Sequence, residues 1–180
     1  MWAALALLAC LEAGAGPDAI AVGAPARAFD LAALNPDAAM ALVHQARVSL
    51  YDLVGVQPAH PARGVVIVFF DRGASAQGLR PLEALSRRYA GDQVRFLGVC
   101  LDRGDTTADW IRDMDLSFPV LADPFRVVAG RYGVRSLPFV VLVDAEARVF
   151  AAGGPDALDL EAPLDLEITN LLESGPPIAR

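Results

Sequence analysis

The chain predicts an α/β domain in three layers, a mixed central sheet with helices on both faces. Three observations carry that prediction. Val65–Phe70 and Val94–Leu101 are almost continuously apolar and rich in β-branched or aromatic residues, as strands covered on both faces are. Between and after them run segments with apolar residues three and four apart, of which Leu79, Leu82, Leu85 and Tyr89 are the clearest. A third apolar run, Phe139–Asp144, turns through Ala145–Glu146–Ala147 into Arg148–Ala151, an antiparallel hairpin that makes the sheet mixed.

Taken in order, Met1 to Leu11 is an apolar run too short to span a bilayer, and Ala13–Gly16 after it resembles a signal-peptidase site. An export signal is one reading, although a basic n-region is missing. Leu7-Leu8-Ala9-Cys10 also resembles a lipoprotein box with Cys10 as the lipidated residue, and the first helix of a cytosolic protein is the third reading. The chain therefore divides into a leader over 1–20 and a folded domain over 21–175. The expected location is exported, in the periplasm or cell envelope, with the cytoplasm as the alternative and no transmembrane span.

Ala21 to Leu31 is a Gly- and Pro-punctuated loop entering a short strand at Phe29–Leu31. Pro36 to Ala46 reads as a helix capped by Asn35, and Ser49–Leu53 as a turn or short helix. Pro58 and Pro61 make 57–63 a surface loop. After the first buried strand a helix is expected from about Ala74 to Tyr89, bent at Pro81 and closed by Gly91. Asp105 or Thr106 should cap the next helix through Thr106-Thr107-Ala108-Asp109, an approximate capping box, with Trp110, Ile111 and Met114 on it. Phe118–Asp123 is extended, Pro124–Tyr132 helical up to Gly133, and the last helix covers about Leu160 to Leu172 before Gly175-Pro176-Pro177.

Composition removes several function classes. With 180 residues and 54% hydrophobic content the chain closes one core and is not disordered. A net charge of −7 leaves no basic footprint for nucleic acid. Lysine is absent, every strong base being arginine, so Schiff-base and P-loop lysine chemistry are excluded. Cys10 and Cys100 cannot form a disulfide framework, and with His44 and His60 they match no zinc-site spacing, so neither a metal nor another cofactor is expected. Asp102, Asp105, Asp109, Asp113 and Asp115 lack the ligand spacing and turn glycine of a calcium loop and read as a solvated helix face.

The element order, with Gly23-x-Pro25-x-x-x-Phe29-x-Leu31, Phe118-Pro119-Val120-Leu121-x-Asp123, Tyr132-Gly133-Val134 and Leu137-Pro138-Phe139-Val140-Val141-Leu142-Val143-Asp144, resembles the thioredoxin superfamily. It is most similar to the redoxin branch, which holds thiol–disulfide interchange proteins and peroxiredoxins of the alkyl hydroperoxide reductase/thiol-specific antioxidant type. The resemblance covers about Val22 to Leu172 and implies a thioredoxin-like three-layer sandwich. It also implies a Cys-x-x-Cys pair five residues before Pro81, and there the chain departs: Gly73 and Ala76 stand in those places. A thiolate at a helix start, its pKa lowered by amide dipoles, cannot be replaced by glycine or alanine. Ser75 lies in the same turn, where a hydroxyl cannot cycle disulfides and a capping role is expected.

The resemblance further makes Pro138 the family's cis-proline, a residue that faces the dithiol and presents backbone to an extended peptide. Gly73, Ala74, Ser75, Ala76, Leu137, Pro138 and Phe139 are thus the candidate binding groove. Cys100, the only cysteine inside the domain, is the candidate catalytic thiol. Its neighbours Leu97-Gly98-Val99 and Leu101 supply no group that lowers its pKa, and inert packing is the other reading. Two functions stay open: a protein- or peptide-binding module with a degenerate site, and a thiol-dependent oxidoreductase or antioxidant that uses Cys100.

Overall fold

Strand alternation organises the molecule. The computed structural model describes residues 20–73, 79–104, 106–154 and 162–174. The readings placed on the leader with Cys10, on Ala74–Ala76, on Asp105 and on the start of the last helix at Leu160 lie outside them. Seven strands and five helices are described: β1 Asp30–Ala32, α1 Pro36–Val43, β2 Arg47–Ser49, β3 Gly64–Phe70, α2 Leu79–Tyr89, β4 Val94–Cys100 and α3 Thr107–Asp113. They continue with β5 Val120–Ala122, α4 Val127–Arg131, β6 Phe139–Asp144, β7 Val149–Gly153 and α5 Ala162–Ser174.

The main sheet has the order β5-β4-β3-β6-β7, with β3, β4 and β5 parallel and β6 and β7 antiparallel to their neighbours. All seven residues of β3 are buried. Because successive side chains point to opposite faces, Val65, Ile67 and Phe69 enter one core while Val66, Val68 and Phe70 enter the other. The first core is roofed by α1, by Leu50, Leu53 and Val54, and by Val128, Ala129 and Tyr132. The second is roofed by Leu79, Leu82, Leu85 and Tyr89 of α2, Ile111 of α3, and Leu164, Ile168 and Leu171 of α5. Each large apolar side chain removed from water in this way contributes about 1.5–3 kcal/mol. The continuous apolar runs are thus explained by two roofs, and the mixed α/β three-layer expectation is what the structure has.

Glycine has a packing reason at Gly98. A Cβ there would lie 3.0 Å from the Phe70 ring and 3.2 Å from Val120, so the missing side chain makes room for the aromatic opposite. The segment before β3 covers both sheet edges. Gly23 N–H donates to Val149 O at 2.7 Å and Ala26 N–H to Ala147 O at 2.8 Å, while Leu34 N–H donates to Val120 O at 2.7 Å on the far edge. These bonds and the bridges Pro25–Arg148 and Ala33–Leu121 cover part of each edge and so shorten the template open to another strand.

Several local expectations are corrected. Asn35 occupies the N-cap position of α1 but makes no capping hydrogen bond. Its buried amide instead donates to Phe118 O at 3.0 Å and accepts from Val120 N–H at 2.7 Å, tying α1 to β5. Helix α2 ends through a tighter turn at Ala90–Asp92, and the left-handed residue that reverses the chain is Gln93 rather than Gly91. Thr106 is the N-cap of α3 without the expected side-chain bond, because its carbonyl and hydroxyl face the Arg72 guanidinium. Helix α4 begins only at Val127: the buried Asp123 carboxylate accepts the N–H groups of Val127 and Ala129, both at 2.8 Å, leaving 124–126 as a loop.

Removing the Asn35 bridge leaves the Val120 N–H without its acceptor. Asn35→Ala should therefore lower unfolding free energy by about 1–3 kcal/mol, seen as a reduced urea midpoint with an unchanged slope.

Candidate functional site

Because β3, β4 and β5 are parallel and β6 runs against them, four connections meet at one end of the sheet. They are Asp71–Gly73 after β3, Asp102–Gly104 after β4, Asp123–Arg126 after β5 and Arg135–Pro138 before β6. Sheets of this kind gather ligands at the carboxyl ends of their strands. The β3–β6 register pairs Phe69 with Phe139, which puts Gly73 and Pro138 at this same end.

The turn after β3 is fastened to its neighbours. Arg72 N–H donates to Asp102 Oδ2 at 2.6 Å, its Nη2 donates to Thr106 O at 3.1 Å, and its guanidinium stacks 5.1 Å over the Trp110 ring. Gly73 is exposed, and a Cβ there would meet only Asp71 Oδ1, at 3.7 Å. A side chain fits at Gly73; the chain lacks one there. Ala74, Ser75 and Ala76, the rest of the predicted turn, lie outside the described residues.

The Leu137–Pro138 peptide bond is cis. Leu137, Pro138 and Phe139 are half-buried, with the Phe139 ring 6.5 Å from Phe69. Gly154 lies so close that a Cβ would come within 2.7 Å of Ser136 Oγ, which seats this loop against the end of β7. Among the described residues, Ser136 and Leu137 make no backbone hydrogen bond on either their N–H or their carbonyl groups. Backbone groups are obligatory hydrogen-bonding groups, so a run left unpaired at a strand entrance faces water or a partner.

Cys100 ends β4, in register with Phe70 of β3, with its side chain in the second core and 1% exposed. Its sulfur lies 3.7 Å from Asp102 Oδ2. Burial pushes the thiol up to about 11; the Asp102 carboxylate adds to that, and its backbone and Arg72 offset only part. This is the reverse of an activated thiolate. Cys100 and the cis-proline loop are thus at the same end of the sheet, but the sulfur faces inward. His44 and His60 stack edge to face with ring centroids 5.3 Å apart, away from this end. Among the described residues no cluster of three or more His, Cys, Asp and Glu could hold a metal ion, and no helix is long and apolar enough to cross a membrane.

Some features of this end had little signal in the sequence. Asp102, grouped by spacing with an acidic helix face, instead clamps the turn after β3. Asp123 was visible as part of a motif but not as the cap of α4. The repeat of Asp-Arg directly after two strands, Asp71-Arg72 and Asp102-Arg103, was the available clue.

Sheet order, cis-proline loop and helix roofs together define a thioredoxin-fold protein of the redoxin kind. The AhpC/TSA family matches residues 22–152, and the chain belongs to that family. Among solved structures it is similar to a candidate thiol:disulfide interchange protein DsbE of Chlorobium tepidum, with 22% identity, TM-score 0.69, and 86% of this chain and 99% of that one covered. It is also similar to the peroxidoxin BcpB of Mycobacterium tuberculosis, at 17% identity and TM-score 0.64 over 86% of this chain and 98% of that one. The exposed lipoprotein thioredoxin Etrx1 of Streptococcus pneumoniae matches at 20% identity and TM-score 0.59 over 82% of this chain and 99% of that one. No curated protein sequence matches the chain significantly. The family's chemistry is thiol–disulfide exchange or peroxide reduction, and these likenesses establish the fold on which it runs.

The raised thiol has a pH signature. An anionic group whose pKa is higher folded than unfolded favours the fold below the unfolded value, and that contribution falls as pH climbs toward about 11. With Cys10 replaced by serine, the native protein should react negligibly with a thiol reagent at neutral pH and quickly once denatured, while Cys100→Ser should flatten the alkaline limb of the stability profile. Fast stoichiometric labelling of that native Cys10→Ser protein at pH 7 would show the Cys100 sulfur to be accessible.

Proposed function

We propose that this protein is a redoxin whose dithiol has been replaced, serving as a non-catalytic module that binds an extended peptide or protein segment along Gly73–Ala76 and Leu137–Phe139. That Ser136 and Leu137 make no backbone hydrogen bond among the described residues is the observation that carries this reading. A strand laid there gains main-chain hydrogen bonds, each worth about 0.5–1.5 kcal/mol net. The buried, high-pKa Cys100 supports binding over catalysis, since function belongs to sites rather than folds. The apolar leader and its small-residue site support export to the periplasm or cell envelope, with Cys10 as a lipid attachment point if it is retained; mass spectrometry of the mature amino terminus tests this.

A fluorescent extended peptide of alternating valine and serine should bind saturably. Methylating its backbone nitrogens should weaken binding about tenfold or more, a loss of about 1.4 kcal/mol or more. Absence of saturable binding would end the proposal. The family's own chemistry supplies the rival: reductant-dependent turnover of disulfide or peroxide that disappears in Cys100→Ser would make the protein a thiol enzyme. Installing cysteine at both Gly73 and Ala76 should create disulfide-reducing activity, and failure to do so in a folded variant counts against the placement of the turn.

A further inference from the structure

The chain has two histidines, and the fold brings them into contact. His44 closes α1 as its left-handed cap, with φ 58° and its N–H donating to Met40 O at 3.1 Å. Histidine is among the few side chains enriched in that backbone region. His60 lies beyond β2, in the loop that leads to β3, where its N–H donates to Asp52 O at 2.8 Å and the Ala62 N–H to Leu53 O at 2.8 Å. Both backbones are therefore fastened, and the two ring centroids stand 5.3 Å apart with their planes inclined by 62°.

The rings have only each other. Among the described residues neither imidazole makes a side-chain hydrogen bond or an ion pair. The nearby Asp52 carboxylate accepts the Ser49 N–H at 3.1 Å. His44 is exposed and His60 half-buried, so water and small ions reach the pair. Packing alone explains such a pair poorly, because each neutral imidazole carries one N–H and one lone pair that take partners.

The spacing suits a chelate. With metal–nitrogen bonds of about 2.0–2.1 Å, two imidazoles on one tetrahedral ion hold their ring centroids about 5.2 Å apart. The Cβ–Cγ torsion of a histidine is soft, which leaves each ring free to turn a nitrogen toward a shared point while its backbone stays in place. From this we infer that His44 and His60 form a two-imidazole site for a divalent transition-metal ion, of the copper, nickel and zinc kind that imidazole suits, with water in the remaining positions. Calcium and magnesium require oxygen ligands and are not held there. Among the described residues no third His, Cys, Asp or Glu completes a closed centre, so the ion stays exchangeable. Once bound, it clamps the end of α1 to the loop before β3.

The test uses the untagged full chain with Cys10 replaced by serine, so that the leader thiol does not compete, and Ni²⁺ as a probe that leaves thiols unoxidised. Calorimetric titration should show one Ni²⁺ per chain and no binding of Mg²⁺. His44→Asn, a residue that tolerates the left-handed cap, and His60→Gln, each checked for folding by circular dichroism, should each weaken Ni²⁺ by about tenfold or more, the least that loss of a metal-site partner costs. The paramagnetic ion should broaden the ring-proton signals of both histidines together, and it should raise the thermal midpoint of the parent but of neither variant. Two ions per chain, each lost with one histidine while the other keeps its affinity, would show two separate imidazoles and overturn the chelate. Ni²⁺ binding that survives both substitutions, or no saturable binding at all, overturns it as well.

Discussion

The burial of β3 on both faces is the constraint from which the rest of the structure follows. A strand whose every residue is apolar cannot leave either face to water, so it requires a roof above and below and a neighbour on each side. The helices meet the first demand, α1 and α4 on one face and α2, α3 and α5 on the other. Strands β4 and β6 meet the second, one parallel and one antiparallel. That mixture of directions brings the ends of three strands and the start of a fourth to one place.

The sheet thus creates the site before any particular residue occupies it. In a thiol enzyme of this architecture the reacting sulfurs stand at the end of β3, exposed and helped by helix amides. Here the end of β3 carries Asp71-Arg72-Gly73, and the one described cysteine lies one strand over, directed into the second core with its thiol held protonated. What the same end of the sheet presents is a cis proline and, among the described residues, two residues without backbone hydrogen bonds.

Much of this was readable from residue order. Val65–Phe70 announced a two-sided strand because no solvent-facing residue interrupts it, and the hairpin at Ala145–Ala147 followed from an apolar run on either side of a polar turn. Helix termini were read less well, for a common reason. Asn35, Thr106 and Gly91 have the chemistry of caps and closers, but each competes with a tertiary partner or a tighter turn that local sequence does not display. Asn35 is drawn 83 positions along the chain to Phe118, and Thr106 is drawn to Arg72, 34 positions away.

By itself the sequence determined the layers, the mixed character of the sheet, the absence of any Cys-x-x-Cys pair and the presence of one cysteine within the domain. Periodicity and residue type decide those, and both are local properties. Only the tertiary structure decided which way the Cys100 sulfur faces and which carboxylates are consumed by backbone amides. Those outcomes depend on distances between segments far apart in the chain, and a one-dimensional pattern holds no record of them.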